Sequence, residues 1–189
     1  MEEYLAIGHN EALVAMSFVV AIVAGFTGLS LTKDLSSKTI SQRKIAICLA
    51  SIALGGGIWS MHFVAMLGLQ LPILFYYDAA ITLASALIAI LIVAAALVLL
   101  HFRTRTPQTI ILAGALVGVG ILAMHYVGMA GLQLCRAIYS PIGLAMSSIL
   151  AIALCILAFR VAYSTRYNRN NLIGTLSIGV AVFLGQFLA

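Results

Sequence analysis

Long apolar stretches separated by short polar breaks run through the whole chain. Each stretch is close to the roughly 20 residues that an α-helix needs to cross the hydrocarbon core of a bilayer, and the alternating ten-residue segments of a membrane β-barrel are missing. The pattern predicts six transmembrane helices and no soluble domain, at about 11–32, 45–67, 78–100, 109–131, 141–163 and 172–189.

The composition supports a membrane location. Hydrophobic residues make up 63% of the chain and charged residues 8%, and the mean hydropathy is +1.16. A soluble domain carries roughly 25% charged residues. The opening segment "MEEYLAIGHNEA" is acidic where a signal peptide would be basic, so we expect the first helix to be retained.

Basic residues concentrate in alternate connections between the predicted helices. Nine of the ten lie in 33–44, 101–108 and 160–171, namely Lys33, Lys38, Arg43, Lys44, Arg103, Arg105, Arg160, Arg166 and Arg169. The other connections and the N-terminus hold Arg136, Glu2, Glu3, Glu11 and Asp78. By the positive-inside rule the N-terminus is outside and the three basic connections are cytoplasmic. The basic charge therefore indicates topology and an affinity for anionic lipid, not binding to nucleic acid.

An eleven-residue segment occurs twice. Residues 61–71 read MHFVAMLGLQL and residues 124–134 read MHYVGMAGLQL, with eight of eleven positions identical. The repeating unit is a helix pair, which returns the chain to the same side of the membrane. We therefore predict one domain, 1–189, of three parallel helix-pair repeats at about 1–70, 71–134 and 135–189, with equivalent residues at equal depth.

The duplicated segment provides candidate metal ligands. His62 and His125 fall near the predicted outer ends of their helices, and His9 lies at the same level before the first helix. Residues four apart on a helix are offset by only about 40°, so each histidine shares a direction with the methionine four residues later. Each histidine also follows a methionine that lies about 100° to the side. The methionines are Met61, Met66, Met124 and Met129.

Imidazole and thioether donors suit copper, especially Cu(I), better than magnesium, calcium or structural zinc. One His and Met motif in an apolar helix is more often core packing. Duplication at matched depth favours a ligand set, because polar residues in the membrane are costly and tend to face a partner or cavity. No Ser-His-Asp or phosphate-loop pattern appears, so we do not expect an enzyme.

Two other functions remain open at this point. A small metal-handling transporter needs a relay of ligands across the membrane, and the inner halves of the helices offer only Cys48 and His101. A bis-histidine haem b protein would use His62 and His125 as axial ligands.

The motifs Met61-His62-Phe63 and Met124-His125-Tyr126, on alternate helices and preceded by "GHNEALVAMS", resemble the MHYT domain, a bacterial membrane sensor module. The resemblance covers essentially the whole chain. It implies that Met and His residues near the outer surface bind copper and sense oxygen, carbon monoxide or nitric oxide. Carried over by position, the ligand candidates are Met61, His62, Met66, Met124, His125 and Met129, with His9 similar to a histidine that the family carries before its first helix.

The resemblance also implies partners and a location. We expect copper as the cofactor, haem being the alternative, in the inner membrane of a bacterium. The expected partners are the lipid bilayer, a diatomic gas ligand, a cytoplasmic output such as cyclic-di-GMP turnover that is not in this chain, and, as an option, a second copy in a homodimer.

This chain departs from the family pattern in its third repeat. Projecting the spacing from His125 leads to Gln186, Phe187 and Leu188, with no histidine, so the third repeat is degenerate or truncated. Val64 and Val127 also stand where the family motif has a threonine. Six spans that start outside end outside, so we expect a further segment or a partner to carry the signal to the cytoplasm.

Overall fold

Six α-helices make up most of the chain, and the computed structural model describes residues 8–70, 76–133, 141–163 and 171–188. The helices are α1 (Glu11–Leu31), α2 (Ile40–Leu67), α3 (Ala79–Phe102), α4 (Pro107–Ala130), α5 (Pro141–Tyr163) and α6 (Asn171–Leu188). A short 3₁₀ turn, Leu35–Ser37, lies between α1 and α2. The predicted all-α class is confirmed.

The start of α2 differs most from the sequence prediction. The helix begins at Ile40, one turn before the predicted start near 45, so that boundary was wrong. Thr39 and Gln42 form a capping box, in which the Gln42 backbone N–H donates to the Thr39 hydroxyl and the Thr39 N–H donates to the Gln42 side chain. Hydropathy misses this first turn because its residues are largely polar.

The helices form a closed ring. Each packs against its neighbours in sequence, and α1 packs against α6. The even-numbered helices α2, α4 and α6 also approach one another at the centre. Burial follows this arrangement, since 56% of the most apolar window of α4 is buried but only 22% of that of α5. The helices that carry the duplicated motif are therefore inner helices.

The outer surface of the ring is strongly apolar. On α3, Leu83, Leu87 and Leu91 recur every four residues and are 63%, 59% and 65% exposed, as expected for a face in contact with lipid. Helices α1 to α5 are long and apolar enough to cross a membrane, which supports a multi-pass membrane protein. In α6 the apolar part is shorter, Ile173–Leu184. The sixth span and the outside position of the N-terminus stay predictions.

The two ends of the bundle differ in chemistry. We call the end where α2 and α4 finish and α1 and α3 begin the histidine end, and the opposite end the basic end. At the histidine end two antiparallel strand pairs occupy equivalent places, β1 (Gly8–His9) with β2 (Leu69–Gln70) and β3 (Tyr76–Tyr77) with β4 (Leu132–Gln133).

The same hydrogen bond joins the helix ends beside each strand pair. The Asn10 N–H donates to the Gly68 carbonyl and the Asp78 N–H donates to the Gly131 carbonyl, both at 2.8 Å. The side chains of Asn10 and Asp78 cap α1 and α3 by accepting backbone N–H groups of the first turn. These repeated contacts hold the final turns of α2 and α4 in equivalent positions.

Glycine sets the spacing between each motif helix and the next helix in the chain. A Cβ atom built on Gly55 of α2 would lie 2.7 Å from Cα of Ile90 in α3, and one on Gly118 of α4 would lie 2.8 Å from Cα of Ile152 in α5. Both distances are too short for a real contact with backbone atoms. Only glycine permits this approach, as in other closely packed membrane helices.

We expect Gly55→Ala to lower the midpoint of thermal unfolding in detergent, because the added methyl group meets α3 backbone that cannot rotate away. Overpacking of this kind costs about 1–3 kcal/mol. Emission of Trp59, the one tryptophan in the chain, follows the unfolding. The matched control is Gly56→Ala, since a Cβ there meets nothing within 4 Å. Equal unfolding midpoints for the two variants would contradict the packing argument.

Candidate metal centre

The two motif histidines are in contact. The ring centroids of His62 and His125 lie 5.0 Å apart with an interplanar angle of 71°, an edge-to-face arrangement. Each histidine stands in the last two turns of its helix, and the side chains are only 1% and 6% exposed. The sequence predicted this pair at one level, and the structure brings the two rings together between α2 and α4.

A small residue allows the His62 ring to reach α4. A Cβ atom built on Gly128 would lie 3.3 Å from Nε2 of His62 and 3.5 Å from the Phe63 ring. In the aligned motif the equivalent of Gly128 is Ala65. This exchange is one of the three differences between the two eleven-residue segments, and its role in the site was not predicted from the sequence. The exchange itself was the available signal, because it breaks the symmetry at a position that faces the site.

Aromatic side chains form one wall of the histidine pair. Phe63 contacts the His62 ring edge-to-face at 4.9 Å between centroids, and Trp59 and Tyr77 contact Phe63 at 5.0 and 5.4 Å. The Trp59 indole N–H donates to the Ser85 hydroxyl of α3 at 3.1 Å. Trp59 is therefore anchored to α3 and reaches His62 through Phe63.

The four motif methionines fall into two groups. Met61 and Met124 are fully buried and belong to the core of the bundle, together with Ile58 and Ile121 one turn earlier. The methionines four residues after the histidines, Met66 and Met129, are partly exposed. The thioethers adjacent in sequence to the histidines are thus the better shielded from solvent and lipid.

The remaining candidate residues, His9 and the projected third motif, belong to the histidine end of the molecule. The backbone of His9 pairs with Leu69 directly after α2. The helix α6 continues through the projected third motif, Gln186 to Leu188, whose side chains lie outside the described part of the structure.

The described neighbours of the His62 ring are uncharged, with Phe63 and Gly128 beside it. Among the described residues no group of three or more His, Cys, Asp and Glu side chains is close enough to hold a metal ion. Within the described residues, an ion at this place would therefore draw on the two imidazoles and on neutral donors such as thioethers. This donor chemistry fits a soft ion, Cu(I) above all, and does not fit ions that need several oxygen ligands.

Comparison with known proteins identifies the segments that carry both motifs. The MHYT model, described as the N-terminal repeat of bacterial signalling proteins, matches residues 55–114 and 118–175, which include both motif histidines. No solved structure matches the chain.

Three curated relatives are signalling proteins. The bifunctional diguanylate cyclase/cyclic di-GMP phosphodiesterase MucR of Pseudomonas aeruginosa is 35% identical over 94% of this chain and 26% of its own length. The cyclic di-GMP phosphodiesterase NbdA of the same species is 35% identical over 95% and 24%, and the signaling protein YkoW of Bacillus subtilis is 28% identical over 86% and 20%. The chain thus spans about a quarter or less of these relatives. Because the repeat model matches more than half of the chain and covers both motif histidines, the chain belongs to the MHYT family of bacterial signalling proteins.

Proposed function

We propose that this chain is a membrane-embedded sensory input domain that binds copper through His62 and His125 together with one or more motif thioethers, of which those of Met61 and Met124 are the more buried. The contact between the two buried imidazoles is the observation that carries the proposal. Burying polar groups in a membrane is costly, so two imidazoles placed together in an apolar bundle favour a functional site.

The proposed ion is Cu(I), which accepts imidazole and thioether ligands and favours few ligands over many. When bound with an open coordination position, it supplies a binding site for oxygen, carbon monoxide or nitric oxide. The protein's part is to hold the two imidazoles, shield them with Phe63 and Trp59, and keep carboxylates away. Ligation transmits a signal only if it stabilises one arrangement of α2 and α4 over another.

The proposed orientation puts the histidine end outside and the basic end in the cytoplasm of a bacterial inner membrane. Its support is the charge asymmetry of the connections. The relatives MucR and NbdA bear names of cyclic-di-GMP enzymes, and this chain covers only about a quarter of each. We propose that the output of this domain is a cytoplasmic signalling domain or partner of that kind, outside the sequence described.

The geometry favours a single bound ion over the two alternatives that the sequence left open, a bis-histidine haem and a metal-handling transporter. A porphyrin must pass between its axial imidazoles, and rings in edge-to-face contact leave no slot for it. A transmembrane relay needs a series of ligands below the histidines, where the described core is mostly apolar, with residues such as Leu54 and Val117, and holds the buried thiol of Cys155 as a soft donor. A Soret band in protein from haem-replete cells, or copper uptake by sealed proteoliposomes, would reverse this preference.

We expect His62→Ala combined with His125→Ala to abolish stoichiometric copper binding, since the variant removes both nitrogen donors. Elemental analysis after copper loading and desalting measures this. The control is His101→Ala, which removes a buried histidine from the basic end and leaves the pair intact. Undiminished copper in the double variant, with helix content retained, would refute the site.

We expect Met61→Leu combined with Met124→Leu to weaken Cu(I) binding about tenfold or more and to change Zn²⁺ binding little, because thioethers are soft ligands. Leucine nearly conserves the volume, so packing changes little. The same double change at the exposed methionines Met16 and Met146 is the control.

Competition titration with a chromogenic Cu(I) chelator gives the affinities. The Met66→Leu, Met129→Leu pair, measured in parallel, identifies which thioethers take part. If neither pair alters Cu(I) affinity, the thioether ligands are wrong and an imidazole-only site remains.

We expect Gly128→Ala to weaken copper binding about tenfold, the range seen when groups that orient metal ligands are changed. The added methyl group at 3.3 Å from Nε2 forces the His62 ring to move by a few tenths of an ångström. Gly56→Ala, a change in open space on α2, should leave the affinity unaltered. An unchanged affinity in Gly128→Ala would show that the ligand position of His62 differs from the one proposed.

A further inference from the structure

A second polar site lies at the basic end, opposite the histidine pair. It is a cavity of about 400 Å³, lined by α1, α2, α3, α5, α6 and the connections after α1 and α3. Its size falls within the range of small-molecule sites. Nothing in the proposed copper chemistry uses this cavity, which the bundle core separates from His62 and His125.

The lining is strongly basic. Lys33, Arg43, Arg103 and Arg105 contribute four positive charges, and Asp34 contributes one negative charge, which leaves a net charge of +3 from these residues. Asp34 is also the one acidic residue in the connections that form this end of the chain. Positive charges gathered around a cavity repel one another, so the arrangement is stabilised by an anion in their midst.

Two arginines are held against the walls. The Arg43 guanidinium donates a hydrogen bond to the His101 carbonyl at the end of α3 and lies 5.2 Å from the centroid of the Phe102 ring. The Arg105 guanidinium lies 5.7 Å from the centroid of the Tyr163 ring of α5. Stacking on aromatic rings orients a guanidinium and leaves its N–H groups available for hydrogen bonds at the ring edge.

One hydrogen-bond donor of the Arg43 guanidinium has no partner among the described residues. Its Nε atom is buried and makes no hydrogen bond to the described residues. A buried charged donor without a partner is costly, and an acceptor in the cavity would satisfy it. His101 and Tyr163, which are 5% and 8% exposed, form the buried part of the cavity wall, while Lys33, Arg103 and Arg105 line its exposed part.

We propose that this cavity binds a phosphate group, with Arg43 and Arg105 as its principal ligands and Lys33 and Arg103 adding positive charge. Guanidinium groups pair with phosphate oxygens through two parallel hydrogen bonds, which makes them suited to this anion. The group belongs either to an anionic phospholipid, since basic pockets between membrane helices bind headgroups, or to a soluble phosphate compound. The proposal does not depend on copper at the histidine end.

Binding should stabilise the bundle, because the cavity is formed by five of the six helices and a ligand of the folded state raises its stability by mass action. The full chain is reconstituted in phosphatidylcholine nanodiscs, and Trp59 emission follows thermal unfolding. One arm titrates inorganic phosphate against chloride at equal ionic strength. The other arm replaces part of the phosphatidylcholine with phosphatidylglycerol. Stabilisation in the first arm identifies a soluble ligand, and stabilisation in the second identifies a lipid headgroup.

Arg105→Gln should weaken the stabilising anion about tenfold, the loss expected for one charged hydrogen-bonding group. Arg43→Gln should do the same, but that variant also loses the hydrogen bond to the His101 carbonyl of α3, so Arg105→Gln is the decisive variant. Lys38→Gln and Lys44→Gln remove equal charge from exposed positions outside the cavity and should have little effect. No stabilisation in either arm, or equal losses in the lysine and arginine variants, would overturn the proposal.

Discussion

The close approach of the inner helices is the constraint on which the rest of the structure depends. Gly55 and Gly118 let the backbones of α3 and α5 come within a distance that a Cβ atom would forbid. Gly128 lets the His62 ring touch α4. In a membrane, where apolar burial does not drive helices together as it does in water, packing of this closeness supplies much of the association. The histidine contact exists because the helices are this near.

The bundle separates two kinds of chemistry. Neutral donors, two imidazoles and buried thioethers, gather at one end, while guanidinium and ammonium groups gather at the other. The core between the two ends is mostly apolar, so the histidines and the basic residues do not contact each other. A change at one end can reach the other through the helices themselves, since α2 carries both His62 and Arg43. A rigid helix that joins two sites is a physical route for coupling, provided that it has two stable positions.

Much of the fold and part of the site could be predicted from the residues alone. Hydropathy located all six helices because each is a continuous apolar run, and it misplaced the start of α2 because the capped first turn is polar. The duplicated motif put His62 and His125 at one level because equal spacing in a parallel repeat means equal depth. The contributions of Trp59 and Gly128 to the site were not predicted. A packing partner across a helix interface leaves no periodic signal in its own segment.

The sequence by itself determined the class of protein, the helices, the repeat and the identity of the candidate ligands, since these depend on local hydrophobicity and on spacing along one chain. Only the tertiary structure decided that the two histidine rings touch, that Met61 and Met124 are buried while Met66 and Met129 are partly exposed, and that scattered basic residues surround a common cavity. Those features depend on how helices rotate and how closely they approach. Rotation and approach are set by contacts between residues far apart in sequence, such as Gly55 with Ile90 and Arg105 with Tyr163.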